Sequence, residues 1–179
     1  PFVGVLYAGL MLTADGPKVL EFNARFGDPE AQALFLRLED DLLPILAAGA
    51  VGSFGVARLH FRKEVSAVIV LASAGYPERP AQGEPITGLE AAAALPNVEI
   101  FHSGTALADG ALVAVGGRVL SVGATGATLA EALKSAYAAA YEIHWPSKIL
   151  RKDIGRRALE QGIVTGESGL FRLPPLTDS

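Results

Sequence analysis

Leu129, Ala132, Leu133, Ala136, Tyr137, Ala140 and Ile143 recur at intervals of three and four residues, so a helix through them gathers all seven on one face. Thr128-Leu129-Ala130-Glu131 opens that helix as a capping box, in which the hydroxyl takes an early amide and the carboxylate reaches back. A helix with so broad an apolar face has to lay it against something. The chain supplies strands to meet it. Val65 to Ala72 is β-branched and uncharged, the pattern of a strand inside a sheet. Val98 to His102 reads as a second strand, and Ala106 to Leu120 as a meander punctuated by Asp109-Gly110 and Gly116-Gly117. Strands and helices in this order predict an α+β fold.

With 179 residues the chain has room for one domain or two small ones. Half of its residues are hydrophobic and 19% are charged, which supports a sizeable core and argues against disorder. A net charge of −4 offers no general attraction to nucleic acid or to acidic membranes. Cysteine is absent, which excludes disulfides and thiolate metal sites. No charged-then-apolar leader and no apolar run of membrane-span length are visible, so the expected location is cytoplasmic. The chain starts at Pro1 without an initiator Met and reads as a fragment or a processed segment. The small, flexible stretch around Gly49 to Gly55 suggests a boundary between about Gly52 and Arg62. The expected division is a first part over 1–60, a sheet-plus-helix domain over 61–162, and a Gly-, Pro-, Ser- and Thr-rich flexible tail over 163–179.

In the first part, Phe2 to Leu12 is almost wholly apolar and reads as a buried strand. Thr13 to Pro17 makes a turn, and Lys18 to Asn23 returns antiparallel. Alternation then sets Leu20 and Phe22 on a buried face and Glu21 and Asn23 on the other. A helix is expected from Pro29 to Leu38 with an apolar stripe of Leu34, Phe35 and Leu38, and a second from about Asp41 to Ala48. Phe2, Phe22, Phe26, Phe35 and Tyr137 are expected in the core.

The chemistry concentrates in Glu21-Phe22-Asn23-Ala24-Arg25-Phe26-Gly27-Asp28-Pro29-Glu30. A carboxylate and an amide oxygen two residues apart on a strand can grip one hard cation such as Mg²⁺. Arg25 could reach a phosphate oxygen, or else pair with Asp28 or Glu30. Asp28 suits a helix N-cap with Pro29 at the first helical position, and Asp28 and Glu30 could equally bind a small ammonium group. The amides after Gly27 are a poor anion site, because Pro29 lacks a donor and Asp28 repels. His102 with Thr105, Arg118 after Gly116-Gly117, the pair Arg151 and Asp153, and Arg62 with Lys63 all admit structural readings. For these the readings are a structural His, an exposed hairpin Arg, an ion pair tying the last helix to the sheet, and a solvated basic pair.

This string resembles the metal-binding strand of the ATP-grasp enzymes, and within them it is similar to the glycinamide ribonucleotide synthetases, the phosphoribosylamine–glycine ligases. Gly4 to Met11, Ala74-Gly75-Tyr76-Pro77, Phe101 to Thr105, Gly116 to Leu120 and Arg151 to Gly155 match further blocks of that family in order, over about residues 1 to 162. The resemblance implies an ATP-dependent carbon–nitrogen ligase of purine biosynthesis, joining glycine to 5-phosphoribosylamine through glycyl phosphate. It implies Glu21 and Asn23 as ligands of Mg²⁺ or Mn²⁺, Arg25 as the residue steadying the transferred phosphate, and Asp28 and Glu30 at the glycine amine. It also implies a missing N-terminal part with most of the adenine contacts, since neither an adenine pocket nor a glycine-rich phosphate loop is present. By itself the chain would then be inactive. Two alternatives stay open: another ATP-grasp carboxylate–amine ligase or carboxylase, and a non-catalytic interaction domain derived from one.

Overall fold

A computed structural model describes residues 2–53, 58–160 and 162. The chain begins with an antiparallel hairpin of β1 (Tyr7–Thr13) and β2 (Gly16–Asn23). Its register pairs Thr13 with Gly16 at the turn and Tyr7 with Asn23 at the open end, with a shift between Gly9 and Leu10. Two helices follow, α1 (Glu30–Phe35) and α2 (Leu42–Ala50). Asp41 caps α2 by accepting from the amide of Leu43 at 2.9 Å. The chain then runs back beside its own earlier segment. Leu38 bridges Phe61, and the amide of Arg62 donates to the carbonyl of Arg37 at 2.7 Å.

The rest is built on a four-stranded antiparallel sheet of β3 (Val65–Ser73), β5 (Val98–His102), β8 (Arg118–Gly126) and β9 (Lys148–Leu150), in the order β5-β8-β3-β9. The long helix α4 (Leu129–Glu142) lies on one face and buries Ala132, Leu133, Ala136, Ala139 and Ala140. These pack with Ala67, Ile69 and Leu71, alternate residues of β3, which therefore share one face of that strand. Alanine at so many contact positions lets helix and sheet approach closely. The capping box forms as expected at its hydroxyl end, with Thr128 Oγ1 accepting from the amide of Glu131 at 3.2 Å. The Glu131 carboxylate reaches one residue further back than the usual pattern, to the amide of Ala127. Ser66 points to the opposite face of β3 and donates to the carbonyl of Ala33 in α1. So α1 and α4 sandwich the sheet.

A second, three-stranded sheet orders β4 (Glu84–Pro85), β7 (Ala111–Ala114) and β6 (Thr105–Ala108) as β4-β7-β6. Asp109 and Gly110 join β6 to β7 with φ of 48° and 79°, the left-handed pair that a two-residue hairpin turn requires. Two further short helices lie among the described residues, α3 (Leu89–Ala93) and α5 (Arg156–Glu160).

The hairpin departs from expectation. Leu20 and Phe22 are 65% and 62% exposed, and Leu6, Leu10 and Met11 are exposed as well, so neither face of the hairpin is buried. An alternating pattern records a buried face only when some layer covers it, and no second layer packs on this ribbon among the described residues. The α1 region is shorter than its pattern suggested. Leu34 and Phe35 face solvent, and it is Leu36 that reaches the sheet, at Gly123. Phe2, Phe22 and Phe35 are accordingly outside the core, although Phe35 and Phe26 meet edge to face with ring centroids 5.0 Å apart. Gly116-Gly117 is no hairpin turn, because it carries the chain from the three-stranded sheet to the four-stranded one. The tail over 163–179 lies outside the described residues.

Candidate functional site

Strand alternation brings Glu21 and Asn23 together at the open end of β2. The Asn23 amide donates to Glu21 Oε1 at 3.1 Å. Glu21 is exposed and Asn23 half-buried, so both oxygen donors are within reach of a ligand. The hairpin register adds Tyr7, directly across from Asn23, which donates its hydroxyl to Glu30 Oε1 at 3.3 Å. The charge of Glu30 is the main reason the Tyr7 hydroxyl is held above its ordinary pKa, followed by burial, this hydrogen bond and the charge of Glu21. Glu21, Asn23, Tyr7 and Glu30 thus form one group, assembled from two strands and the first turn of α1. Tyr7 is the member that sequence reading missed. The signal was the hairpin register, which needs the turn to be counted residue by residue.

The remaining residues of the string separate. Arg25 is exposed and donates from Nη1 to the carbonyl of Phe26 at 2.7 Å, pairing with neither Asp28 nor Glu30. Asp28 is not an N-cap. Pro29 occupies the cap position with no side-chain bond, behind a cis peptide, and the helix starts with the Ala31 amide donating to the Gly27 carbonyl at 2.9 Å. The Asp28 carboxylate is drawn elsewhere, accepting from Gln32 Nε2 at 2.8 Å and facing the Arg118 guanidinium at 3.6 Å. Above Gly27 the Glu30 carboxylate fills the space, with an oxygen 2.4 Å from where a Cβ would stand. A negative group there disfavours an anion at the start of α1.

The other candidates make the following contacts. His102 Nδ1 and Thr105 Oγ1 lie 2.9 Å apart across the β5–β6 turn. Arg151 and Asp153 form a two-pronged pair at 3.0 and 2.8 Å within one loop. The pair raises the arginine's pKa and lowers the aspartate's. The tie from that loop to α4 is made by Tyr137, whose hydroxyl donates to the Arg151 carbonyl at 2.9 Å and accepts from the Ile154 amide. Arg62 lines an open hollow of about 430 Å³ with Phe35, Leu36, Glu99, Phe101 and Thr125.

Among the described residues no three His, Asp or Glu side chains cluster tightly enough to cage a metal. One carboxylate and one amide at the end of a strand suit a cation that keeps much of its water, as Mg²⁺ does. The donor set therefore fits a divalent oxygen-seeking metal. No helix among the described residues is long and apolar enough to cross a membrane.

Residues 66–157 match the family model described as phosphoribosylglycinamide synthetase, C domain, and residues 1–31 match its ATP-grasp (A) domain. The phosphoribosylamine–glycine ligase of Mesorhizobium japonicum is 52% identical over 159 residues, covering 89% of this chain and 37% of that protein. The ligase of Caulobacter vibrioides is also 52% identical, over 90% of this chain and 38% of the relative. The chloroplastic Arabidopsis thaliana ligase is 48% identical over 89% of the chain and 31% of the relative. The crystal structure of the Thermotoga maritima phosphoribosylamine–glycine ligase superposes with a TM-score of 0.70 at 37% identity, over 83% of this chain and 36% of that one. N5-carboxyaminoimidazole ribonucleotide synthetase from the same organism shares the fold, with a TM-score of 0.58 at 17% identity over 81% of this chain and 38% of that one. The chain thus spans about a third of the length of these relatives, from 31% to 38%. With the C-domain model alone covering just over half of its 179 residues, this α+β chain belongs to the phosphoribosylglycinamide synthetase family.

Proposed function

We propose that this chain is the C-terminal portion of an ATP-dependent ligase joining glycine to 5-phosphoribosylamine, with formation of glycinamide ribonucleotide, ADP and phosphate. Family membership supports the reaction class, and the gathering of Glu21 and Asn23 on the open end of β2, inside the stretch that matches the ATP-grasp domain, carries the assignment of the site. In the proposed chemistry a glycine carboxylate oxygen attacks the γ-phosphorus of ATP, ADP leaves, and glycyl phosphate results. The amine of the sugar then attacks the acyl carbon, phosphate leaves, and an amide remains.

Glu21 and Asn23 would hold the divalent cation, Mg²⁺ or Mn²⁺, which when bound offsets charge on the transferred phosphate. Arg25 spends one N–H on its neighbour's carbonyl and keeps others for a phosphate oxygen. Asp28 and Glu30 present carboxylates to the ammonium group of glycine, whose positive charge they complement, and Tyr7 keeps Glu30 oriented. We place the ATP-grasp part at about residues 1–60 and the sheet-plus-helix part at 61–162 in this reading. The remaining partners are ATP and the rest of the ligase, upstream in the longer relatives, with a cytoplasmic setting and no role for nucleic acid or membrane.

The test is ADP release in the presence of glycine and 5-phosphoribosylamine. A full-length ligase that carries this segment should turn over only when both are supplied, and the 179-residue chain alone should not turn over. Turnover by the isolated chain that depends on both substrates would show that the rest of the ligase is not needed, and would sink the reading of a partial site.

A further inference from the structure

Three blocks of the sequence have no part in the site so far, and they meet at one point. Gly117 lies against the ring of Tyr76, 2.2 Å from where a Cβ would stand. A Cβ on Gly104 would be 2.7 Å from both Gly116 Cα and the Arg118 carbonyl oxygen. The amides of Ser103 and Gly104 both donate to the Val119 carbonyl, at 3.0 and 3.1 Å, and the Ser73 amide donates to Gly117 at 2.9 Å. Ala74–Pro77, Phe101–Thr105 and Gly116–Leu120 thereby clamp the start of β8 from several sides, with backbone approaches that only glycine permits. The residue so mounted is Arg118.

Its side chain leaves the sheet and reaches a residue 90 positions earlier. Nη1 donates to the Asp28 carbonyl at 2.9 Å, and Nη2 stands 3.6 Å from Asp28 Oδ2. The two side chains are 39% and 41% exposed, so charge attraction alone is modest. The planar fork supplies geometry instead, because it grips the backbone and the side chain of one residue together. With Gln32 on the other carboxylate oxygen, Asp28 has a fixed orientation, and Glu30 follows two residues later.

We propose that Arg118 is a positioning residue of the ligase site: mounted by the three glycine-containing blocks, it sets the Asp28–Glu30 turn and the two carboxylates offered to the ammonium substrate. This rests on the reading of those carboxylates given above. Loss of the fork should loosen ammonium recognition and spare ATP. In a full-length ligase carrying this segment, Arg118→Met should raise KM for glycine about tenfold, while KM for ATP stays within about twofold and kcat within about threefold.

Arg118→Lys keeps charge but not the fork, and should raise KM for glycine by a smaller factor. It carries the test if the Met variant does not fold. Gly117→Ala should give the same glycine-specific signature by pushing against Tyr76, and adding Tyr76→Ala should return KM toward wild type. A residue serving stability alone would instead change kcat and both KM values together, or change melting only. Either result, or an unchanged KM for glycine, overturns the proposal. Manganese binding, followed by electron paramagnetic resonance on the same full-length proteins, separates the two readings. Arg118→Met should bind Mn²⁺ as wild type does and Glu21→Gln should not. If Glu21→Gln binds Mn²⁺ normally, the site reading fails. If it loses Mn²⁺ while Arg118→Met keeps its glycine KM, only the role of Arg118 fails.

Discussion

Leu133→Ala tests the packing on which the larger half of the molecule depends. Leu133 is 6% exposed on the sheet-facing side of α4 and belongs to the main apolar cluster. The change removes three side-chain carbons, worth about 2.4 kcal/mol at ~0.8 kcal/mol for each buried CH₂. A cavity term adds to this, and measured Leu→Ala changes in well-packed cores run from about 2.7 to 5 kcal/mol. The surroundings decide where in that range the site falls. On one side Leu133 has strands and α4, which cannot close the space. On the other it meets Gly155, where a Cβ would stand 2.6 Å from its Cδ1, in the short loop between β9 and α5 that can move more readily than a strand. Partial collapse of that loop places the expected loss at about 3 kcal/mol. Urea unfolding of the 179-residue chain and the variant, followed by far-UV circular dichroism, gives the difference. A loss below about 1 kcal/mol would mean that α4 does not rest on the sheet through this side chain, and the packing argument would be refuted.

Glu21→Gln in a full-length ligase should reduce kcat by a factor on the order of 10²–10³, the scale of losing one electrostatic contact to the reacting group. Because Glu21 is exposed, the same change should alter thermal stability by less than about 1 kcal/mol. A kcat within about threefold of wild type at limiting Mg²⁺, about 0.7 kcal/mol in barrier, would remove Glu21 from the metal site. Lys148 makes a pH prediction. Its Nζ donates to the carbonyls of Ala140 and Ile143 at the end of α4, and burial lowers its pKa from the ordinary 10.5. The unfolded chain then binds more protons between the two values, so stability should rise with pH through that window up to about 10.5, the burial penalty being in full force below it. Lys148→Met should lack this rise in urea midpoints, and parallel pH curves for the two proteins would contradict it.

What the sequence disclosed follows from how local the determinants are. The stripe from Leu129 to Ile143, the strand from Val65 and the turn at Asp109-Gly110 are each specified within a few residues, and each stands where expected. Glu21 and Asn23 fall together for the same reason, since alternation along one strand suffices. The failures all involve a second surface. Leu20, Phe22, Leu34 and Phe35 have patterns fit for burial, but whether a layer covers them is decided elsewhere. Asp28 looks like a cap in its own turn, yet its carboxylate answers to Gln32 and to Arg118, 90 residues away. Gly116-Gly117 has the composition of a hairpin and the function of a close crossing, which only the positions of Tyr76 and Gly104 reveal.

The ribbon of β1 and β2 carries a liability in a test tube. Its outer edges leave backbone amides and carbonyls without strand partners among the described residues, while Leu10, Met11, Val19, Leu20 and Phe22 lie open along it. Unblocked edges with apolar side chains are templates for pairing with another molecule. Concentrated solutions of the 179-residue chain should therefore self-associate through this ribbon and cloud as salt strengthens apolar burial. Lysine in place of exposed Leu20, the residue left without a cross-strand partner at the register shift, would act as a gatekeeper and keep the chain dispersed.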